Sequence, residues 1–317
     1  MKIIKKTISV FSLFFFLGCS SAPAAITSVN TRKNQAAEFT DYGNSAYDQA
    51  NYDQALGFFM LALENNTAAD FEEGIAKSYN SLGKTFFAIG EISRALSAFE
   101  QAQEFALLVG NPTILAQCKY NYGTLAIQDK KYDEGIRLMN EAAALAERGS
   151  DRREQAIILH GLGMAMRSAA IEKNDEVALA ATLDYFQRAA VINRSILGYT
   201  ELASNHYMMS LVLIRLNRLA EAKTEALNAL ENDRKMETSL GIAMDHRALG
   251  IIEGKNNNSE TAIEHLLRSY RILTTLKLTS YHSTALDLLI ETYTKSGKVE
   301  EARKYRIERE ALDAGAP

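Results

Sequence analysis

Five histidines, two cysteines and scattered carboxylates are the residues of this 317-residue chain that could hold a metal, attack a carbonyl or relay a proton. His160, His206, His246, His265 and His282 never stand four apart, so no helix presents two imidazoles one turn apart. His206 and His246 occupy equivalent places forty residues apart and are expected within about 10 Å of each other, the spacing of packed helices. Packed or solvated imidazoles are the simpler reading there than a metal pair. The chain holds no H-E-x-x-H, no C-x-x-C, no P-loop and no G-x-S-x-G. His160-Gly161-Leu162-Gly163 lacks the third glycine and the preceding strand of a phosphate-cradling loop. Acidic pairs such as Glu72-Glu73 read as solvated helix faces. Cys118 reads as a small buried hydrophobe. Neither catalysis, nor a metal, nor a cofactor is expected.

Cys19 is the exception. Lys2, Lys5 and Lys6 precede an apolar run from Ile8 to Leu17, too short to span a bilayer, which needs about 20 residues. The run ends at Leu17-Gly18-Cys19, which resembles the bacterial lipobox. The resemblance implies cleavage after residue 18 and acylation of the Cys19 sulfur. Several acyl chains, at about 0.8 kcal/mol per buried CH₂, would give stable anchoring. An ordinary secretory signal cut after Ala22-Pro23-Ala24 is the alternative. Ser20, in place of an aspartate, implies by the same resemblance the periplasmic face of an outer membrane. Residues 19–35 are small and polar, and are expected to be a flexible tether.

The elements that carry everything else repeat. Gly43, Gly83, Gly123 and Gly163 recur every forty residues, and after a slip of seven the row resumes as Ser210, Gly250 and Ile290. Ala36, Ala76, Ala116, Ala156, Ala203, Ala243 and Ser283 run seven residues earlier. Ala55, Ala95, Gly135, Thr182, Ala222, Ala262 and Ala302 form a third row, and Phe59, Phe99, Met139, Phe186, Ala226 and Leu266 a bulky fourth. Such a period means one supersecondary unit used seven times. The chain has three prolines and no tryptophan, and Ala, Leu, Glu, Lys and Arg fill the stretches between turns, so the units are helical. The expected fold is all-α, a solenoid of about seven antiparallel helix pairs over residues 36–312 with a polar capping helix, Val299–Leu312, and a tail, 313–317. The seven extra residues are expected as a charged loop over Glu172–Ala178.

The pattern resembles the tetratricopeptide repeat, in Ala36, Gly43, Ala46, Tyr52, Ala55, Phe59 and Ala62 and in their counterparts along the chain. Small residues let the helices of a pair close to the short end of the 8–10 Å range. The bulky row is expected to fill the gap to the next unit. The resemblance implies that the first helix of each pair lines a concave groove that holds a peptide or a partner's helix. Carrying that phase over places Tyr47, Asn80, Lys84, Phe87, Tyr120, His160, Arg167, Tyr207 and Arg247 in the groove. Aromatic and amide groups suit a peptide. Arg167, Arg215, Arg247 and Lys255 would attract an acidic one.

Formal charge is −4, and loss of the three leading lysines leaves 32 basic residues against 39 acidic ones. That balance argues against nucleic acid as a general partner. The reading that follows is a non-catalytic adaptor or scaffold of the bacterial cell envelope, lipid-anchored and binding a protein or peptide. The alternative is a peptide- or small-ligand-sensing or transport-accessory protein. Forty-residue units also resemble cytoplasmic peptide-pheromone receptors, against which the export signal speaks.

Overall fold

The computed structural model describes residues 28–313, and the signal segment, Cys19 and residues 314–317 lie outside the described residues. Fourteen α-helices follow one another with no strand among the described residues. The first seven are α1 (Val29–Asp48), α2 (Tyr52–Ala68), α3 (Glu72–Ala88), α4 (Ile92–Val109), α5 (Pro112–Gln128), α6 (Tyr132–Arg148) and α7 (Arg152–Glu172). The rest are α8 (Glu176–Ser195), α9 (Tyr199–Arg215), α10 (Leu219–Lys235), α11 (Ser239–Lys255), α12 (Ser259–Thr275), α13 (Thr279–Lys295) and α14 (Val299–Asp313). Each odd helix packs on the even one after it, making seven antiparallel pairs, and each pair stacks on the next. The solenoid expected from the lattice is the fold observed.

The lattice rows hold each pair together. Gly43 lies under the Phe59 ring so closely that an added Cβ would fall 2.5 Å from Cε1, and Gly83 meets Phe99 in the same way. Gly123 with Met139, Gly163 with Phe186 and Gly250 with Leu266 repeat the arrangement. The bulky row therefore works within a pair as well as between pairs: Phe59 also joins Leu82 and Phe86 of the next unit in one core. Burying each such side chain contributes about 1.5–3 kcal/mol. Cys118 is buried among Ala76, Ala102 and Ile114, and burial pushes its thiol up to about 12, as an inert core residue requires.

Turns are short because in every one except that between α6 and α7 a residue reverses the chain in the left-handed region. That residue is Ala50, Gly90, Lys130, Asn174, Asn217, Asn257 and Gly297 within pairs, and Asp70, Gly110, Leu197, Glu237 and Lys277 between them. Asn111, Asp151 and Asp175 then cap the next helix, their side chains accepting from the amides of Thr113 (2.9 Å), Glu154 (3.0 Å) and Ala178 (2.9 Å). Pro112 opens α5, where its missing N–H costs nothing.

Two expectations are corrected. Helix α1 begins at Val29, inside the segment read as tether, with the Ser28 hydroxyl accepting from the Thr31 amide (3.2 Å). Nor do the seven extra residues form a loop. Most helices have 17 residues, whereas α7 has 21 and α8 has 20, and the turn between them is still only Lys173-Asn174-Asp175. Four residues prolong one helix and three the other. Seven residues are close to two helical turns, so the lattice faces stay in phase on both sides.

The odd helices also touch one another, α1 with α3, α3 with α5, α5 with α7, α9 with α11 and α11 with α13. Helices that reach their second neighbours lie on the inside of a curved stack, so the odd helices form the inner wall. The approach of α7 to α9 is the loose one in this series.

Candidate functional site

The inner wall carries a line of polar contacts that pass from one odd helix to the next. Lys84 on α3 lies over the Tyr47 ring of α1, its Nζ 5.6 Å from the centroid. The Asn121 amide of α5 donates to Asn80 Oδ1 of α3 (2.5 Å), and Gln117 Nε2 of α5 donates to Glu154 Oε2 of α7 (2.9 Å). His160 on α7 meets Asn205 on α9 (2.8 Å), and Arg247 on α11 donates to the Tyr207 phenol of α9 (2.8 Å). These contacts put Tyr47, Asn80, Lys84, His160, Tyr207 and Arg247 where successive odd helices meet. Phe87 sits at the same wall's edge, half-buried against the first core.

Their availability differs. Asn80 is 6% exposed, with its oxygen taken by Asn121 and its nitrogen turned to Gln117 (3.4 Å). It is a strut between α3 and α5. Lys84 is exposed. Tyr120 lies flat against the backbone of α7 at Gly161, where any Cβ would strike the ring. Burial raises its phenol pKa, as it does that of Tyr207. Arg215 and Lys255, at the ends of α9 and α11, are exposed.

Between α7 and α9 the wall opens into a cleft of about 130 Å³, lined by Tyr120, Ala156, Ile157, His160, Asn193, Glu201, Ser204 and Asn205. The Asn205 amide donates to the Glu201 carbonyl (2.7 Å), so its oxygen faces the imidazole and His160 Nδ1 is the donor. Burial holds His160 below its ordinary value, so the ring is neutral near pH 7. Arg153 closes the outer rim by its ion pair with Glu201 (2.7 Å). The cleft thus joins an apolar side, Ala156 and Ile157, to amide and hydroxyl groups, which suits a small side chain with one polar group. Longer α7 and α8 and the loose α7–α9 approach occur together at this unit.

The sequence did not single out Glu154, Gln117, Asn121 or Asn205. The usable signal was separation by about one unit: Gln117 and Glu154 stand 37 apart, Asn80 and Asn121 stand 41 apart. Two of the histidines are held by side chains of a neighbouring helix. His206 bonds Glu225 (2.6 Å), and His246 meets His265 with Nδ1 atoms 2.9 Å apart, so each faces the second helix of its own pair. Among the described residues no group of His, Cys, Asp and Glu is placed to hold a metal ion.

No protein-family model matches the sequence, and no curated protein matches it. Solved structures are similar in fold. The apo form of RapI superposes with a TM-score of 0.67 at 14% identity, over 87% of this chain and 76% of that one. The Rap conjugation gene regulator of plasmid pLS20, in complex with the Phr* peptide, gives 0.61 at 18% identity, over 95% and 80%. The tetratricopeptide-like repeats of a Podosopora anserina kinesin light chain give 0.54 at 14% identity, over 64% and 96%. At such identities the likeness is one of fold: the chain is a tetratricopeptide-like α-solenoid.

Proposed function

We propose that this chain is a non-catalytic adaptor that holds a peptide or an extended partner segment against the inner wall of its solenoid, and that a lipid on Cys19 fixes it to a bacterial envelope membrane. The inner wall supports the first part. It joins exposed Lys84, the α7–α9 cleft and the Tyr207–Arg247 hydrogen bond on one face, and a solenoid of similar fold, the pLS20 regulator, was solved with a peptide. The lipobox-like Leu17-Gly18-Cys19 supports the second.

Crosslinking and pull-down from the native host tests the adaptor. Capture should fall in a Lys84→Ala, Ile157→Ser, Arg247→Ala triple variant, since Ile157 is 39% exposed in the cleft and none of the three holds a helix pair together. Capture that instead depends on Asp184 and Arg218, in the groove across α8 and α10, would move the site to the outer wall. Radiolabelled palmitate should enter the full-length chain and fail to enter Cys19→Ala, and equal labelling of both would remove the anchor. Peptide sensing is the second reading, favoured by the same peptide-bound neighbour. It requires the solenoid to change its radius of gyration in scattering when a peptide binds.

A further inference from the structure

Two guanidinium groups on the inner wall have no acid to balance them. Arg167 on α7 and Arg247 on α11 both act electrostatically on the Tyr207 phenol that stands between them on α9. Neither lies within ion-pair distance of a carboxylate among the described residues, and Arg167 differs from the exposed unpaired arginines in being partly buried. Arg167 is half-buried, its Nε has no hydrogen-bond partner, and burial lowers its pKa. An unpaired, partly desolvated guanidinium is costly, and the ordinary remedy is an anion.

Two carboxylates on the neighbouring odd helices are already committed. Glu201 is held by Arg153, and Asp287 on α13 by Arg309 (3.0 Å). Asp245, which also acts on Tyr207, is 0% exposed, and burial beside Asp233 pushes it up to about 9, so it is protonated at neutral pH. The wall therefore carries Arg247 bonded to the Tyr207 phenol (2.8 Å), with the Arg167 guanidinium acting on the same phenol and no ion-pair partner for either arginine among the described residues.

We propose that Arg167, Tyr207 and Arg247 form a carboxylate-binding site that receives an acidic side chain or the free carboxy terminus of the bound peptide. This rests on the peptide-binding reading and names the chemistry it selects. Two guanidiniums flanking a phenol match the two oxygens of a carboxylate better than any neutral group. Removing either charge-assisted hydrogen bond should weaken affinity about tenfold or more.

The test uses fluorescein-labelled random pentapeptide pools with the central residue fixed as Glu or Gln, each as free acid and as carboxy-terminal amide, titrated by polarisation into the lipid-free chain. The expected result is tighter binding of whichever pool carries the preferred carboxylate, weakening with salt. Arg167→Gln and Arg247→Gln should erase that preference about tenfold each while residual binding of the neutral pool persists. Circular dichroism melts confirm that both variants fold. Neutral and acidic pools binding alike, or a preference untouched by both variants, would overturn the carboxylate site and leave the adaptor standing. Displacement by inorganic phosphate at concentrations where acetate does nothing would assign the site to phosphate and also overturn it. Binding of no pool at all would count against both readings.

Discussion

Asp233 and Asp245 are both buried where α10 meets α11. Gly241 makes room for them, since a Cβ there would strike the Asp233 carboxylate. Burial raises both acids, and the neighbouring Asp233 adds to it for Asp245, which is pushed up to about 9. An acid raised in the folded state contributes stability that is fully present below its ordinary value of 3.8 and is lost as pH rises through 9. One such proton sets a slope of up to about 1.4 kcal/mol per pH unit. Melting of the parent should therefore fall between pH 7 and 9.5, and Asp245→Asn should flatten the curve and melt higher at pH 9.5. An unchanged slope would rule out a raised Asp245. Side-chain pairing of this kind was hidden in the sequence. Asp233 and Asp245 stand twelve apart across a turn, and nothing in their spacing separates a buried pair from two solvated acids.

At the scale of elements, the seam between paired helices was the most readable part. Gly43 and Phe59 sit sixteen apart because a small residue faces a bulky one where the paired helices cross, and the arrangement recurs at Gly83, Gly123, Gly163 and Gly250. The inner wall was readable as a phase, which placed Tyr207 and Arg247 on one face. Its hydrogen bonds were not readable: Asn80 is spent between helices, a consequence of how closely α3 and α5 approach. The charged stretch Glu172–Ala178 misled because polarity suggests a loop, whereas a solvent-facing helix end is equally polar. The left-handed turn residues offer a prediction at this scale. Leu197 takes that conformation at φ 59° while its side chain is 67% exposed, so it carries backbone strain with little packing in return. Leu197→Gly should raise stability by up to about 1 kcal/mol in urea unfolding, and a decrease would mean that Leu197 packs better than its exposure implies.

As a whole, the molecule is a one-dimensional stack in which each pair is stabilised chiefly by its neighbours. Helix α14 closes one end. Its Ala302 and Tyr305 cover Leu289 and Tyr293 of α13, with the two tyrosine rings stacked at 5.6 Å. Ending the chain after Gly297 would uncover Leu289 and Tyr293, each contributing about 1.5–3 kcal/mol by burial. Hydrogen exchange should then speed up in α13 and α12 while α1 to α6 keep their protection. Uniform loss of protection along the chain would show a single cooperative unit instead of a stack.

The lengthened fourth pair has a consequence for reading direction along such a stack. A track of identical steps is ambiguous: a segment sliding by one unit would meet the same surroundings again, and several frames would compete. The four residues added to α7 and the three added to α8 break that translational symmetry, and the cleft against α9 lies beside the break. On the proposed peptide-binding reading, the irregular unit is an origin on an otherwise periodic ruler and leaves a bound segment one frame to settle in.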